Sequence, residues 1–258
     1  LACHIGDLGA LAGDVGFLPT SAACGRLRGV VLNLTAALCG NRFSRGLVVP
    51  GGTEYDLEPS EIPTLLGILE RTRRDVEDSV NLLWETPTVM RRFEGTGTLT
   101  RELAAALGLV GPAARACGLS RDVRAQFPLG LYAIRPLSPQ TASSGDVLGR
   151  AQVRWKELQQ SFVYVRAILE SLPSGPSRIP CPPNLEPGRA VVSLVEGWRG
   201  EICHLAVTNP RGELAAYRMV DPSFHNWFGL AQALRGEGIS DFPLCNKSFN
   251  LSYCGFDQ

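Results

Sequence analysis

Apolar positions predict four long helices in this chain. Three stretches cover 4–17, 22–39 and 60–85, and the last of them shows a clear amphipathic pattern. The fourth, Ser144 to Leu172, carries apolar residues at alternating spacings of four and three, which is typical of a helix packed in a bundle. Its polar residues Lys156, Glu157, Gln159 and Gln160 are expected to face outward.

The first predicted helix is rich in glycine, at positions 6, 9, 13 and 16. Each glycine in a helix costs about 1 kcal/mol relative to alanine. A helix that keeps them usually packs closely against something, and we expect that partner to lie upstream of Leu1. Pro19-Thr20-Ser21 is predicted to end the first helix. The second helix follows and is ended by Gly40.

Near the end of the chain the period changes from helical to alternating. Glu201–Thr208 and Glu213–Val220 are predicted strands, joined by the turn Asn209-Pro210-Arg211-Gly212. A helix is predicted next, with Ser223 as its N-cap and Leu234 near its end, before Gly236. These elements predict an antiparallel β-hairpin followed by a helix.

Between these regions the chain is irregular. Thr100 is expected to cap a short helix, Arg101–Leu107, and the following stretch, 111–139, is rich in loop residues. Residues 173–187 hold six of the prolines and predict a linker or a surface-hugging loop. We therefore expect a helical body (1–172), a proline-rich linker (173–189) and a terminal segment (190–258) packed on the same core. The predicted fold class is α+β but mainly α, a bundle of long helices with a small antiparallel hairpin near the C-terminus.

Charge and length narrow the classes of partner. The 258 residues include 25 basic and 25 acidic side chains, so no strong electrostatic case exists for binding nucleic acid or an anionic membrane. No run of about 18 uninterrupted apolar residues is present, and we expect no segment to span a bilayer. The sequence starts at Leu1 without methionine, and we expect it to be an N-terminally truncated copy.

Eight cysteines and three histidines provide no recognisable metal motif. No two cysteines are spaced as Cys-x-x-Cys, so neither a zinc nor an iron–sulfur site is predicted. We expect buried, reduced thiols in a cytosolic protein. Phosphate-binding loops, dinucleotide fingerprints and hydrolase motifs are absent as well. The residue patterns alone predict a mostly helical domain and no activity.

Specific motifs carry a family resemblance. Arg199-Gly200-Glu201, the hairpin, and then Pro222-Ser223-Phe224-His225-Asn226 opening a helix resemble the large subunit of nickel–iron hydrogenases and the quinone-site subunit of respiratory complex I. The membrane-bound, formate-hydrogenlyase-like (group 4) branch is the most similar. The resemblance recurs in 4–52 and 95–169 and implies the mainly helical large-subunit fold.

The resemblance also implies where a metal would bind. Nickel–iron hydrogenases use two Cys-x-x-Cys pairs, because thiolates suit a soft transition metal. The second pair would fall in Asn250–Asp257, where Ser252 and Gly255 stand at the thiolate positions and Cys254 is out of register. We therefore expect no nickel–iron centre and no metal ligand in this chain.

In complex I the same cavity holds a quinone, and the resemblance assigns residues to it. Asp14 matches a carboxylate that orients a quinone-binding histidine, which would belong to the missing upstream region, and we expect Asp14 to be at least partly buried. Arg199, Glu201, Asn226 and Tyr253 are the candidate quinone-binding residues. Structural alternatives stay open: Asp14 as a surface or arginine-paired carboxylate, Arg199 and Glu201 as a pair that fixes the hairpin, and Asn226 as a backbone cap. His204 and His225 are expected to be ordinary hydrogen-bonded histidines.

The implied function is that of a metal-free, hydrogenase-like subunit of a membrane-associated NADH-quinone oxidoreductase, peripheral on the cytoplasmic face. Quinone would be the substrate, this chain would bind no NAD, and the iron–sulfur clusters would lie in partner subunits. Expected partners are an iron–sulfur small subunit, other peripheral-arm subunits and, indirectly, antiporter-like membrane subunits, with no nucleic acid. Two alternatives stay open: a true group 4 nickel–iron hydrogenase subunit, and a non-catalytic scaffold or assembly protein.

Overall fold

The computed structural model describes residues 1–182 and 184–256. Two of the predictions reach beyond that range. The proline-rich linker includes Pro183, and the eight residues compared with a metal-ligand motif include Asp257, and both of these lie outside the described residues.

The described chain contains long helices, several short ones and two small antiparallel sheets. The helices are α1 (Ala2–Asp14), α2 (Leu18–Cys39), α3 (Ile62–Trp84), α4 (Pro87–Phe93), α5 (Arg101–Ala106), α6 (Gly111–Ala116), α7 (Val123–Gln126), α8 (Leu131–Ile134), α9 (Val147–Leu169), α10 (Pro222–Ala233) and α11 (Phe242–Phe249). The strands are β1 (Val48–Val49), β2 (Gly52–Thr53), β3 (Ala190–Gly197), β4 (Gly200–Thr208) and β5 (Leu214–Val220). The predicted fold class, mainly α with antiparallel strands near the C-terminus, is confirmed.

The chain divides into two compact units. The first comprises Leu1–Thr86 with Glu157–Pro183, and the second comprises Pro87–Lys156 with Asn184–Gln258. This grouping differs from the division predicted at the proline-rich linker, because the sequence of α9 contributes to both units.

In the first unit, the glycine-rich α1 packs against α2. A Cβ atom added to Gly9 would lie 2.6 Å from the Cβ of Cys24, and one added to Gly13 would lie 3.1 Å from Oγ of Ser21. The predicted close packing is therefore present, and α2 is the partner at these two glycines. A partner upstream of Leu1 stays a prediction. Pro19 does not interrupt the helical structure as predicted. It lies in the first turn of α2, where no intrahelical bond to its nitrogen is needed.

A pair of glycine substitutions tests this contact. Gly9→Ala should destabilise the chain by about 1–3 kcal/mol, because the extra methyl group overpacks a closed interface. Gly25 of α2 is the matched control, since an added Cβ there meets nothing within 4 Å. Gly25→Ala should stabilise the chain by up to about 1 kcal/mol through helix propensity. Denaturant unfolding of both variants provides the measurement, and shifts of the same sign would contradict the packing described.

Buried polar groups join α1 and α9 within the first unit. Nε2 of His4 lies 3.1 Å from Oε2 of Glu157, and both side chains are almost fully buried. The prediction that Glu157 faces outward is therefore wrong. Burial lowers the pKa of His4 below its ordinary value, although the adjacent Glu157 carboxylate acts in the opposite direction.

Helix α2 is the one helix in the described part of the chain with the length and composition of a membrane-crossing helix. It contacts both α1 and α3, and core helices of soluble proteins share the same length and composition. The finding assigns no membrane segment.

In the second unit, the C-terminal sheet has the strand order β3-β4-β5 and is antiparallel throughout. The predicted hairpin corresponds to β4 and β5. Strand β3 was missed, and it pairs with β4 over its whole length, from Ala190 opposite Val207 to Gly197 opposite Gly200. The helices α5, α6, α10 and α11 supply most of a buried apolar core.

One of the two predicted helix caps is confirmed, and the other is wrong. Oγ1 of Thr100 accepts a hydrogen bond from the Leu103 amide at 3.2 Å, as predicted. The N-cap of α10 is Asp221 and not Ser223: the Asp221 side chain accepts from the Ser223 amide at 2.7 Å, and Pro222 follows at the first helical position.

Candidate functional site

The candidate site is built around the β3–β4 turn, the start of α10 and the segment after α11, all in the second unit. Asn226 joins the first two to the start of α6. Its Oδ1 accepts from the Val110 amide at 3.0 Å, and its Nδ2 donates to the carbonyls of Val110 at 3.1 Å and Arg199 at 3.4 Å. The side chain is buried and both ends of its amide bind backbone, so the geometry favours the structural role for Asn226.

Two glycines let the backbones meet at this point. Gly111 and Gly200 both have positive φ, at +65° and +134°, and a Cβ atom on Gly111 would overlap the Arg199 carbonyl. Positive φ strains other residue types. The backbone of the β3–β4 turn therefore packs directly against the backbone of Gly111, the first residue of α6.

Arg199 connects the turn to the C-terminal segment. Its Nε donates to the Asn250 carbonyl, and its guanidinium lies 4.1 Å from the centroid of the Trp198 ring. The alternative in which Arg199 pairs with Glu201 is not what forms. The Glu201 side chain has no hydrogen-bond or ion-pair partner among the described residues, and Glu201 lines a cavity in the second unit.

Two buried arginines of α9 hold the end of α11. Arg150 donates to Oγ of Ser248 at 2.8 Å and to the carbonyls of Gly145 at 2.9 Å and Gly97 at 3.1 Å. Arg154 donates to the Phe249 carbonyl at 3.1 Å. Burial lowers the pKa of Arg150 to about 10. Sequence reasoning missed both residues, although they sit beside the apolar stripe of α9 at a spacing of four.

The C-terminal segment then turns back onto α10. Asn250 ends α11 in the left-handed conformation, the Ser252 amide donates to Oγ of Ser223 at 2.9 Å, and the Gly255 amide donates to Oγ of Ser252 at 3.1 Å. Gly255 packs against the N-cap of α10, since an added Cβ would lie 2.5 Å from Cγ of Asp221. The two positions compared with metal thiolates are thus next to each other in a closed turn.

These residues do not fit a nickel–iron centre. A serine hydroxyl is a poor ligand for a soft metal. A cysteine at position 255 would collide with Asp221 unless the turn moved. The part of the chain that the structure describes contains no group of three or more His, Cys, Asp or Glu residues that could hold a metal ion.

An aromatic surface covers the same segment. The Tyr253 ring lies 5.2 Å from that of Trp227, and Phe256 contacts both Trp227 and Phe224. Trp227 also donates through Nε1 to the Ser252 carbonyl at 3.3 Å. Tyr253 is 68% exposed, so its ring and hydroxyl are accessible. Planar aromatic faces of this kind suit stacking with a flat ring.

A buried ion-pair cluster lies at the base of β3 and was not predicted. Nη1 of Arg115 lies 2.7 Å from Oε1 of Glu196 and 3.7 Å from Oδ2 of Asp122, and all three side chains are buried. Arg124 binds Asp122 from the outside at 2.6 Å. Burial raises the pKa of the Glu196 carboxyl above its ordinary value, although Arg115 opposes the shift.

Asp14 is the last residue of α1, in the first unit, and is exposed. The expectation that its carboxylate would be partly buried is therefore wrong, because the end of α1 faces outward where the chain turns to α2. Its predicted role in orienting a quinone-binding group stays a prediction.

The cysteines divide into buried and exposed thiols. Cys24, Cys39, Cys117 and Cys245 are buried, as expected, but Cys181 and Cys254 are exposed. Burial raises the pKa of Cys24 to about 11, which makes that thiol inert at neutral pH.

Comparison with known proteins gives one family. The family model for "Respiratory-chain NADH dehydrogenase, 49 Kd subunit" matches residues 14–190. A carbon monoxide-induced hydrogenase of Rhodospirillum rubrum is 31% identical over 97% of this chain and 69% of its own length. Formate hydrogenlyase subunit 5 of Escherichia coli is 30% identical over all of this chain but 44% of its own length.

One further relative and one solved structure extend the comparison. NADH-quinone oxidoreductase subunit 4 of Thermus thermophilus is 30% identical over 93% of this chain and 65% of its own length. The chain thus spans between 44% and 69% of these three relatives. A chain from the solved membrane-bound sulfane sulfur reductase, an archaeal respiratory membrane complex, superimposes with a TM-score of 0.87 at 24% identity, over 99% of this chain and 71% of that one. That likeness shows the fold.

Proposed function

The chain belongs to the family of the 49-kDa subunit of respiratory-chain NADH dehydrogenase, and from that premise we propose that it is a metal-free quinone-site subunit of a membrane-associated electron-transfer complex. Family membership rests on the match over residues 14–190 and on the hydrogenase and oxidoreductase relatives, and it confirms the resemblance predicted from the motifs. The relatives named as subunits support the proposal that this chain works with partner subunits.

The closed turn at Ser252 and Gly255 is the observation that carries the proposal. Gly255 provides no side chain and leaves no space for one beside Asp221, so the turn is shaped for backbone packing and not for two thiolates. Among the relatives, the NADH-quinone oxidoreductase subunits carry quinone in their name as a substrate of the complex. A family member whose turn is unsuited to a soft metal is better matched to that chemistry.

The exposed aromatic surface beside the turn offers a place for the quinone ring. Tyr253 presents both a ring and a hydroxyl donor, and Trp227 and Phe256 extend the apolar area. Offset stacking on such rings contributes about 0.5–1.5 kcal/mol beyond area burial. In this proposal Tyr253 contacts quinone, Arg199 and Asn226 position the segment that bears it, and Asp14 orients a donor.

The proposed complex has further parts. An iron–sulfur small subunit would deliver electrons, other peripheral-arm subunits would complete the site, and membrane subunits would hold the complex at the cytoplasmic face. A second candidate, a true hydrogenase subunit, is favoured by the 31% identity to the carbon monoxide-induced hydrogenase.

One preparation separates the two candidates. The complex is purified anaerobically with this chain in place, and its nickel content and its quinone-dependent turnover are measured together. We expect turnover with quinone and far less than one nickel per chain. Nickel near one per chain, with hydrogen evolution and no quinone turnover, would favour the hydrogenase. If neither activity depends on this chain, the scaffold alternative would be supported.

A further inference from the structure

A polar cavity of about 390 Å³ lies in the second unit, lined by the β3–β4 hairpin, α7 and the start of α10. The residues that line it include Glu196, Glu201 and His225, together with Asp122 and Arg121. A volume of this size holds on the order of ten water molecules. It is distinct from the aromatic surface around Tyr253.

Two glutamates face each other across the strands at this cavity. Glu196 of β3 and Glu201 of β4 are directly opposed in the register. Opposed side chains on one face lie about 5 Å apart at Cβ, and like charges there are unfavourable. Glu196 is buried and compensated, because it accepts from Arg115 at 2.7 Å and from the Val123 amide at 3.1 Å. Glu201 has no such compensation.

Two of the titratable side chains at the cavity have no polar partner among the described residues. Neither the Glu201 carboxylate nor the His225 imidazole has a hydrogen-bond or ion-pair partner among the described residues, and both side chains are half-buried. In contrast, Asp122 is held by Arg124 at 2.6 Å. The charged and titratable groups around the cavity are Arg115 of α6, Arg121 and Asp122 of the following loop, Arg124 of α7, Glu196, Glu201 and His225.

We propose that this cavity is where the subunit takes up protons from water, with Glu201 and His225 as the groups that exchange them. The proposal rests on the proposed function, since reduction of a quinone to a quinol consumes protons and electrons in equal number. The electrons would come from iron–sulfur clusters of a partner subunit. Each proton released by Glu201 or His225 is replaced from cavity water, so neither group is changed after a turnover.

The position of the two groups supports this role. His225 precedes Asn226 on α10, and Glu201 lies two residues after Arg199, which binds the Asn250 carbonyl at the start of the C-terminal segment. The start of α10 therefore contributes both to the cavity and to the proposed quinone surface, and the hairpin turn binds the segment that carries Tyr253. Glu196 stays paired with Arg115 and supports the hairpin next to Glu201, which has no such pair.

The test compares Glu201→Gln and His225→Ala with Glu213→Gln in the whole complex. Glu213 is the matched control, an exposed carboxylate held by Asn209 and Arg211 in the β4–β5 turn. Turnover is measured between about pH 6 and pH 9, with and without added imidazole. We expect both cavity variants to lose roughly 10-fold or more at the alkaline end, where protons are scarce, and less at the acidic end. Imidazole should restore much of the loss.

Two outcomes would overturn the proposal. One is turnover equal to that of Glu213→Gln at every pH. The other is a loss that is the same at every pH and unaffected by imidazole, which indicates a structural role. If the wild-type complex reduces no quinone but evolves hydrogen, the proposed function fails. The same variants assayed for hydrogen evolution, which also consumes protons, then decide the inference separately.

Discussion

Replacing Arg150 with methionine should lower the free energy of unfolding by about 3 kcal/mol or more. The guanidinium satisfies a hydroxyl and two carbonyls in a buried region, and each acceptor left without a donor costs about 1–3 kcal/mol. Removing a desolvated cation offsets part of that loss, which is why the expected total is below the sum for three acceptors. The guanidinium also lies 4.3 Å from the centroid of the Phe249 ring, a contact that methionine only partly replaces.

Arg166→Met is the matched control for this substitution. Arg166 lies on the same helix and forms an exposed ion pair with Glu170 at 2.8 Å. Pairs of this kind contribute about 0.3–0.5 kcal/mol. Denaturant midpoints of the two variants therefore should differ strongly, and equal small shifts would show that Arg150 does not hold α11. Arg150→Lys should fall between them, because lysine keeps the charge but not the planar fork of donors.

The effect of Arg150 bears on the site as well as on stability. Ser248 and Phe249 are the last residues of α11, and the C-terminal turn begins directly after them. Loss of their anchors should let Ser252 and Tyr253 move relative to α10. A variant that still folds should therefore bind quinone less well than its stability alone predicts.

The long helices could be predicted because each has a buried face. The apolar stripe of α9 is an example, as Leu158 and Phe162 are buried where the spacing places them. Strand β3 could not be predicted in the same way. Val191 and Val192 are both more than half exposed, so the strand has no alternating burial to read. Its pairing depends on β4, and the sequence of β3 alone carries no sign of that partner.

Charged residues marked the limit of sequence reasoning at the site. Arg150, Arg154 and Glu157 follow a helical spacing, but a charged stripe is usually solvent-facing, and their burial depends on partners far away in the chain. The motif Arg199-Gly200-Glu201 carried the family resemblance, but it was not identified from the sequence as the turn between β3 and β4. It did not indicate that Arg199 would reach Asn250, or that Glu196 would be the residue paired with a buried arginine.

Replacing Asp14 with asparagine should lower quinone turnover of the complex by about 100-fold while leaving stability almost unchanged. Proton transfer by a well-positioned donor contributes about 100-fold to 10,000-fold to a rate, and Asp14 is proposed to orient such a donor. Stability should change by less than about 0.5 kcal/mol, since Asp14 is exposed.

The form of the kinetic loss distinguishes positioning from packing. We expect kcat to fall with little change in KM for quinone, and Asp14→Glu to recover part of the loss, because it restores the carboxylate. Asp78→Asn is the control, an exposed carboxylate on α3 in the same unit. If Asp14→Asn turns over quinone as fast as Asp78→Asn does, Asp14 has no role in a quinone site. The assignment would then rest on Tyr253 and the C-terminal turn alone, and the scaffold alternative would become stronger.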